Sequence, residues 1–160
     1  MRRRALLGGA ALGAWALQAV AAPARGDAVN WPAVTLLDGT PWPNGRARDS
    51  AVVVVFWSLT CPYCERHNAH VARLHRAAAG RPLSVLGAVR ERDVEAVRRH
   101  MAQRGWSFPV TLDGAALGDA LSPRRSVPLT VTVDRQGRLQ EVIPGEMFED
   151  DVLELQQLAA

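Results

Sequence analysis

Cysteine is scarce in this chain: Cys61 and Cys64 are the only two in 160 residues. That excludes a scaffold held by several disulfides and leaves either one structural bridge or a reactive pair. Net charge is almost lacking as well. The formal value of +3 is carried by Arg2, Arg3 and Arg4, which belong to an N-terminal leader, so the remainder is neutral and lacks the electrostatic footprint of a nucleic-acid binder. Internal repeats are absent, and low-complexity sequence is confined to the leader, which excludes solenoids and arrays. The length suffices for one domain with its own core and is too short for two ordinary ones, so a single monomeric domain is expected.

The leader, residues 1–24, has the layout of an export signal. Three arginines precede an uncharged Ala/Leu/Gly-rich run over 5–24, with small-x-small sites at Ala19-Val20-Ala21 and Ala22-Pro23-Ala24. Arg3-Arg4-Ala5-Leu6-Leu7 resembles a twin-arginine signal, with Arg2 where a polar residue is usual. A retained membrane anchor is the alternative, because the run is just long enough to span; Gly8, Gly9, Gly13 and Gln18 make it weakly apolar. Either way residues 25–160 are expected in an oxidising compartment, the periplasm, where a lone cysteine pair could still be a static bridge.

What is present in abundance is apolar strand sequence just ahead of the cysteines. Residues 52–57, VVVVFW, read as a strand buried on both faces, of the kind found inside an open α/β sheet. Ser58, Leu59 and Thr60 lead out of it, Cys61 stands where a helix would be capped, Pro62 has the fixed φ suited to the first helical position, and Cys64 follows one turn on. Both sulfurs then sit at a helix N-terminus, where first-turn amides and the helix dipole favour a thiolate. The implied chemistry is thiol-disulfide exchange.

Before this stretch, residues 33–37, the Asp38-Gly39 turn and 40–42 form a small predicted hairpin, followed by a polar loop over 43–50. Trp31 and Trp42 read as aromatics packed over a core edge rather than as ligand platforms. After it, 61–79 is helical with Gly80 as its stop. Cys64, Asn68, Val71, His75 and Ala78 share its inner face, His67 falls on the edge, and Arg66, Arg73 and Arg76 point outward. Residues 83–89 read as a second buried strand, and Asp93 caps a helix to Arg104 with Gly105 beyond. A short strand is expected over 108–112 and a short helix over 115–121. The loop 122–128 delivers the chain into a strand over 129–133, a turn at 134–137, a returning strand over 138–143 and a last helix over 149–159. This order predicts a mixed α/β sheet with helices on both faces.

Phe56-Trp57, Cys61-Pro62-Tyr63-Cys64, Phe108-Pro109-Val110, Leu112-Asp113, and Val127-Pro128 opening a strand that ends Val133-Asp134-Arg135-Gln136-Gly137 together resemble the thioredoxin fold. Within it they are similar to bacterial extracytoplasmic disulfide reductases of the TlpA/ResA type, over residues 32–158. The resemblance implies a mixed central sheet flanked by helices with a short N-terminal hairpin extension. It makes Cys61 the exposed nucleophile and Cys64 the resolving thiol, and matches Pro128 to a cis-proline that packs on the active-site disulfide, a bond type affordable only before proline. It also implies a protein thiol-disulfide oxidoreductase that needs no metal or organic cofactor. Such a protein takes electrons from a membrane thiol donor and passes them to a client protein disulfide, commonly in cytochrome c maturation.

Two departures bear on mechanism. Thioredoxins proper carry a buried acid where this chain has Val55, and TlpA/ResA-type reductases often carry a glutamate where it has His67. No carboxylate is therefore expected to take the Cys64 proton, and His67 is left as an acid/base group or as a positive neighbour of the thiols. Pro62-Tyr63 resembles glutaredoxins, with potentials of roughly −200 to −230 mV, which leaves a dithiol oxidase as the alternative direction. Pro62, Tyr63, His67, Val127 and Pro128 make up the expected surroundings of the cysteines. A metal site on Cys61, Cys64, His67 and His70 is disfavoured because three-residue steps rotate around one helix. A metal chaperone, a thiol peroxidase and a non-catalytic peptide-binding module remain as other classes; His70, His75 and His100 read as uninvolved.

Overall fold

A computed structural model of the chain describes residues 21–42 and 49–160. The expected export leader, save its last four residues, and most of the polar loop lie outside the described residues. Among those described, no helix is long and apolar enough to cross a membrane.

The centre of the molecule is β1 (Ala51–Trp57), every residue of which is buried. β2 (Leu83–Val89) runs parallel to it, with Val55 opposite Gly87. On its other side β4 (Leu129–Val133) runs antiparallel, with Val55 opposite Thr130. The edges are β3 (Val110–Thr111), parallel to β2, and β5 (Leu139–Pro144), antiparallel to β4. The order β3-β2-β1-β4-β5 is thus a five-stranded mixed sheet. β1 has neighbours on both sides and layers on both faces, which is why its sequence is a continuous apolar run rather than an alternating one.

Alternate β1 residues feed two cores. Val53, Val55 and Trp57 pack with α1 (Pro62–Ala77), α2 (Val94–Arg104) and α4 (Glu149–Glu154) through Val71, Leu74, Val97, Met101 and Val152. Val52, Val54 and Phe56 pack on the other face against Leu117 and Leu121 of α3 (Gly114–Leu121), together with Val34 and Trp42. Trp31 packs against the second core from its margin.

The expected hairpin is held by Leu36 N–H to the Thr40 carbonyl and Trp42 N–H to the Val34 carbonyl, both 2.8 Å. It forms isolated bridges rather than regular strands, because each arm is too short to extend a ladder. The strand expected over 108–112 contracts to two residues: Phe108 turns into the core and Pro109 contributes only its carbonyl, to Gly87 N–H at 2.8 Å. The last helix tightens after Glu154 into a 3-10 turn, Leu155–Ala159. Asp93 caps α2 as expected, accepting from Ala96 N–H at 3.0 Å, and Gly105 ends it at φ 65.

Candidate active site

β1 delivers the chain to the carboxyl edge of the sheet, where Ser58 to Thr60 turn it into α1. Cys61 is the N-cap of α1 and Pro62 its first residue. The Cys61 sulfur accepts the Cys64 N–H at 3.2 Å, so one of the four amides that a helix start leaves free is spent on sulfur. Cys61 and Cys64 are joined as a disulfide with their Cα atoms 5.2 Å apart. Cys64 is fully buried, whereas Cys61 is half-buried and is the sulfur that approaches the surface.

The loop ahead of β4 forms the opposite wall. The Val127-Pro128 bond is cis, and the Val127 carbonyl lies 3.8 Å from the Cys61 sulfur. Residues 66 apart in sequence are thereby brought together. Pro128 is buried and Val127 half-buried. Tyr63 is one of two large apolar side chains left exposed among the described residues, the other being Phe148. The Arg66 guanidinium sits 5.1 Å from the Tyr63 ring centroid. Arg66 also grips Glu146 with two bonds of 2.7 and 2.6 Å. That pairing holds the Glu146 carboxyl below its ordinary pKa and raises that of Arg66.

His67 departs from its expected place at the helix edge. It is fully buried, because β4 and the segment before α4 cover that side of α1. Its Nδ1 accepts the Met147 N–H at 3.3 Å, and its Nε2 meets Thr130 Oγ1 at 3.0 Å. With Nδ1 accepting, the ring proton belongs on Nε2 and is donated to the threonine. Burial lowers the His67 pKa to about 4. The ring is therefore neutral at neutral pH and supplies no positive charge to the thiols, and neither nitrogen is bonded to a cysteine.

The four residues spaced along α1 part company in the same way. The cysteines bridge each other, His67 turns to Thr130 and Met147, and His70 faces Glu149 with its Nδ1 3.7 Å from a carboxylate oxygen. Val55, on the central strand, is fully buried, and the site has no acid beneath it at that position.

Other groups at the site escape sequence reasoning. Glu65, next to Cys64, is bonded by His100 Nε2 at 3.1 Å and by Arg104, both from α2. His100 also packs in an aromatic cluster with Trp57 and Trp106, at centroid distances of 5.9 and 5.5 Å. Glu91 turns inward and accepts the Leu59 N–H at 2.8 Å, two residues before Cys61. These contacts join segments 32 to 39 residues apart, and no local periodicity signals them.

A parallel and antiparallel sheet of this order, with a cysteine pair capping the helix after its central strand and a cis X-Pro loop facing it, defines a thioredoxin-fold chain. Comparison with known proteins places it further: the model of the Redoxin family matches residues 24–158, and the chain belongs to that family. It is 29% identical over 108 residues to the thiol-disulfide oxidoreductase ResA of Halalkalibacterium halodurans, an alignment that takes in 67% of this chain and 61% of that protein. The chain therefore spans under two thirds of that relative's length. Among solved structures, a thiol:disulfide interchange protein of the thioredoxin family from Chlorobium tepidum TLS superposes with a TM-score of 0.72 at 20% identity, covering 87% of this chain and 99% of that one. A secreted thiol-disulfide isomerase from Corynebacterium glutamicum gives 0.70 at 22% identity, covering 82% and 84%.

Proposed function

We propose that this chain is an extracytoplasmic protein thiol-disulfide oxidoreductase that works as a reductase. The observation that carries the exchange chemistry is the placement of Cys61: half-buried, at the start of α1, with a helix amide on its sulfur and the Val127 carbonyl across from it; the reductive direction is what the sequence resemblance to the TlpA/ResA type implies. The Cys64 N–H that bonds the sulfur favours its charged form, as does the positive end of the helix dipole.

The reaction starts from the dithiol. Cys61 thiolate attacks one sulfur of a client disulfide, a mixed disulfide forms, and the other client sulfur leaves as a thiolate that takes up a proton. Cys64 then loses its proton and attacks the Cys61 sulfur, expelling the second client thiol. Two electrons pass to the client, and the chain is left as the Cys61–Cys64 disulfide. A membrane thiol donor restores the dithiol by the same exchange in reverse, and no cofactor takes part. Val127 presents backbone to the docked client, Pro128 packs behind it, and Pro62 and Tyr63 shape the rim. His67 is a neutral positioning residue that ties α1 to Thr130 and Met147 next to Cys64. Cytochrome c maturation is the setting that the sequence resemblance implies for the client.

The deciding experiment is the equilibrium reduction potential of the Cys61/Cys64 pair in glutathione buffers, run beside an insulin-reduction assay. A potential near or below that of thioredoxin, about −270 mV, with turnover of insulin, supports the reductase. A potential toward about −120 mV overturns the direction and makes the chain a dithiol oxidase. No exchange in either direction removes the activity altogether.

A further inference from the structure

Asn68 is a core residue that the exchange steps leave unused. It stands on α1 four residues after Cys64, and both are fully buried. Residues four apart lie one above the other on a helix, with Cβ atoms about 5 to 6 Å apart, and the later side chain leans back over the earlier one. The Asn68 amide is thereby carried over Cys64, on the inner face where helical periodicity predicts it.

Neither Nδ2 nor Oδ1 of Asn68 has a hydrogen-bond partner within the protein. Among the described residues it is the one whose buried donor and buried acceptor are both unpaired. The indole nitrogens of Trp42 and Trp57 are single donors, His70 Nδ1 faces Glu149, and Glu91 bonds the Leu59 amide through its other oxygen. A buried amide without a partner is costly, and an apolar side chain of the same size would avoid the cost.

The disulfide is the state in which the Cys64 sulfur has least to offer this amide. Bonded to Cys61, the sulfur carries neither a proton nor a charge. Opening the bond changes that: a thiol donates through its S–H, and a thiolate is a strong acceptor. Oδ1 meets the first form and Nδ2–H the second, by rotation of one side-chain amide.

We infer that Asn68 is the hydrogen-bond partner of Cys64 in the reduced chain, accepting from its thiol and donating to the thiolate that attacks Cys61. The inference rests on the exchange reading above and adds the group that makes a buried resolving thiol reactive. In that step Cys64 gives its proton to solvent and its thiolate bonds the Cys61 sulfur. The bond from Cys61 to the client sulfur breaks, and the expelled client thiolate takes up a proton. Asn68 takes none. It lowers the cost of a buried negative charge where the central strand offers Val55 instead of an acid and the His67 ring is turned to Thr130 and Met147. Unpaired in the disulfide and paired in the dithiol, it also favours the reduced state.

The test compares the native chain with Asn68→Leu, which keeps the bulk and removes the amide. In glutathione buffers the variant should be about tenfold harder to reduce, a potential about 30 mV more negative. Attack of reduced Cys61 on oxidised glutathione should keep its rate, while the mixed disulfide that follows should persist at least about tenfold longer before Cys64 resolves it. The urea midpoint of the oxidised variant should equal or exceed that of the oxidised native chain, because an unpaired amide has left its core. If Asn68→Leu does not fold, Asn68→Ala removes the same amide without a branched side chain, and the same changes in potential and lifetime are expected. An equilibrium constant and a mixed-disulfide lifetime within about twofold of the native values would overturn the inference. So would an equal loss of stability in the oxidised and reduced forms, which would make Asn68 a structural group bonded or hydrated alike in both. Failure of the native chain to exchange with glutathione at all would instead remove the reading on which the inference rests.

Discussion

The Nε2 of His67 lies 3.0 Å from the Oγ1 of Thr130, so that a helix residue one turn beyond the reactive pair is anchored to the strand that follows the cis-proline. The other ring nitrogen receives Met147 N–H. The imidazole thus joins α1, β4 and the approach to α4, and the bond from Met147 N–H to Nδ1 requires its neutral form.

That arrangement makes stability depend on pH in a definite direction. The His67 pKa is lowered from 6.5 to about 4, so between those values the unfolded chain binds a proton that the folded chain refuses. Stability should fall as pH drops through this window and be fully present above pH 6.5. The loss should reach about 3 kcal/mol. Urea unfolding at pH 4.5 and 7.5 should show this for the native chain and a much smaller pH effect for His67→Gln; equal pH effects would show that the ring titrates freely.

Gly87 faces a crowded junction. A Cβ there would come within 2.9 Å of Phe108 Cε2, 3.0 Å of Trp57 Nε1 and 3.1 Å of Val110 Cγ2. All three belong to buried residues that cannot simply swing away. Gly87→Ala should cost roughly 1 to 3 kcal/mol by overpacking, and a urea midpoint unchanged within error would mean that the cluster yields.

Cys64 is fully buried and Cys61 is the sulfur toward the surface. Cys64→Ser should therefore accumulate a stable mixed disulfide through Cys61, visible by mass spectrometry, while Cys61→Ser should form none and reduce no insulin. Equal trapping by both variants would dissolve the division of labour between the two sulfurs.

Val55 occupies the central-strand position where thioredoxins proper carry a buried acid, and here it is enclosed by neighbours on both strands and both faces. Val55→Asp should destabilise the chain by roughly 3 kcal/mol or more at pH 7, because the carboxylate would be enclosed among apolar side chains. Burial raises the pKa of such an acid, so the penalty should ease as the pH is lowered and the carboxyl is protonated. A cost independent of pH would mean that the new side chain reaches water.

The cysteine pair, its helix and the strand before it were legible in the sequence because each is dictated locally. A run of β-branched and aromatic residues makes an extended chain, Pro62 suits only the first helical position, and Asp93 and Gly105 bound α2 through their own side chain and backbone freedom. The order of these elements sufficed for the fold, and Val127-Pro128 was marked as a place where a cis bond is affordable. The contacts that shape the site were not legible. His67 looked like an edge residue because helical periodicity places it on a face without saying what covers that face; Thr130 and Met147 do, from 63 and 80 residues away. His100 looked uninvolved until α2 brought it against Glu65 and Trp57. The short β3, the 3-10 end of the last helix and the bridges in place of regular hairpin strands followed from packing against neighbours. The sequence by itself thus placed the cysteine pair and the element on which it stands, since those follow from residue type and spacing. That Cys61 is the sulfur toward the surface agrees with what the resemblance implies, whereas tertiary structure alone decided that the histidine beside the pair is buried and uncharged, because burial and partner choice are properties of what packs together rather than of what is adjacent along the chain.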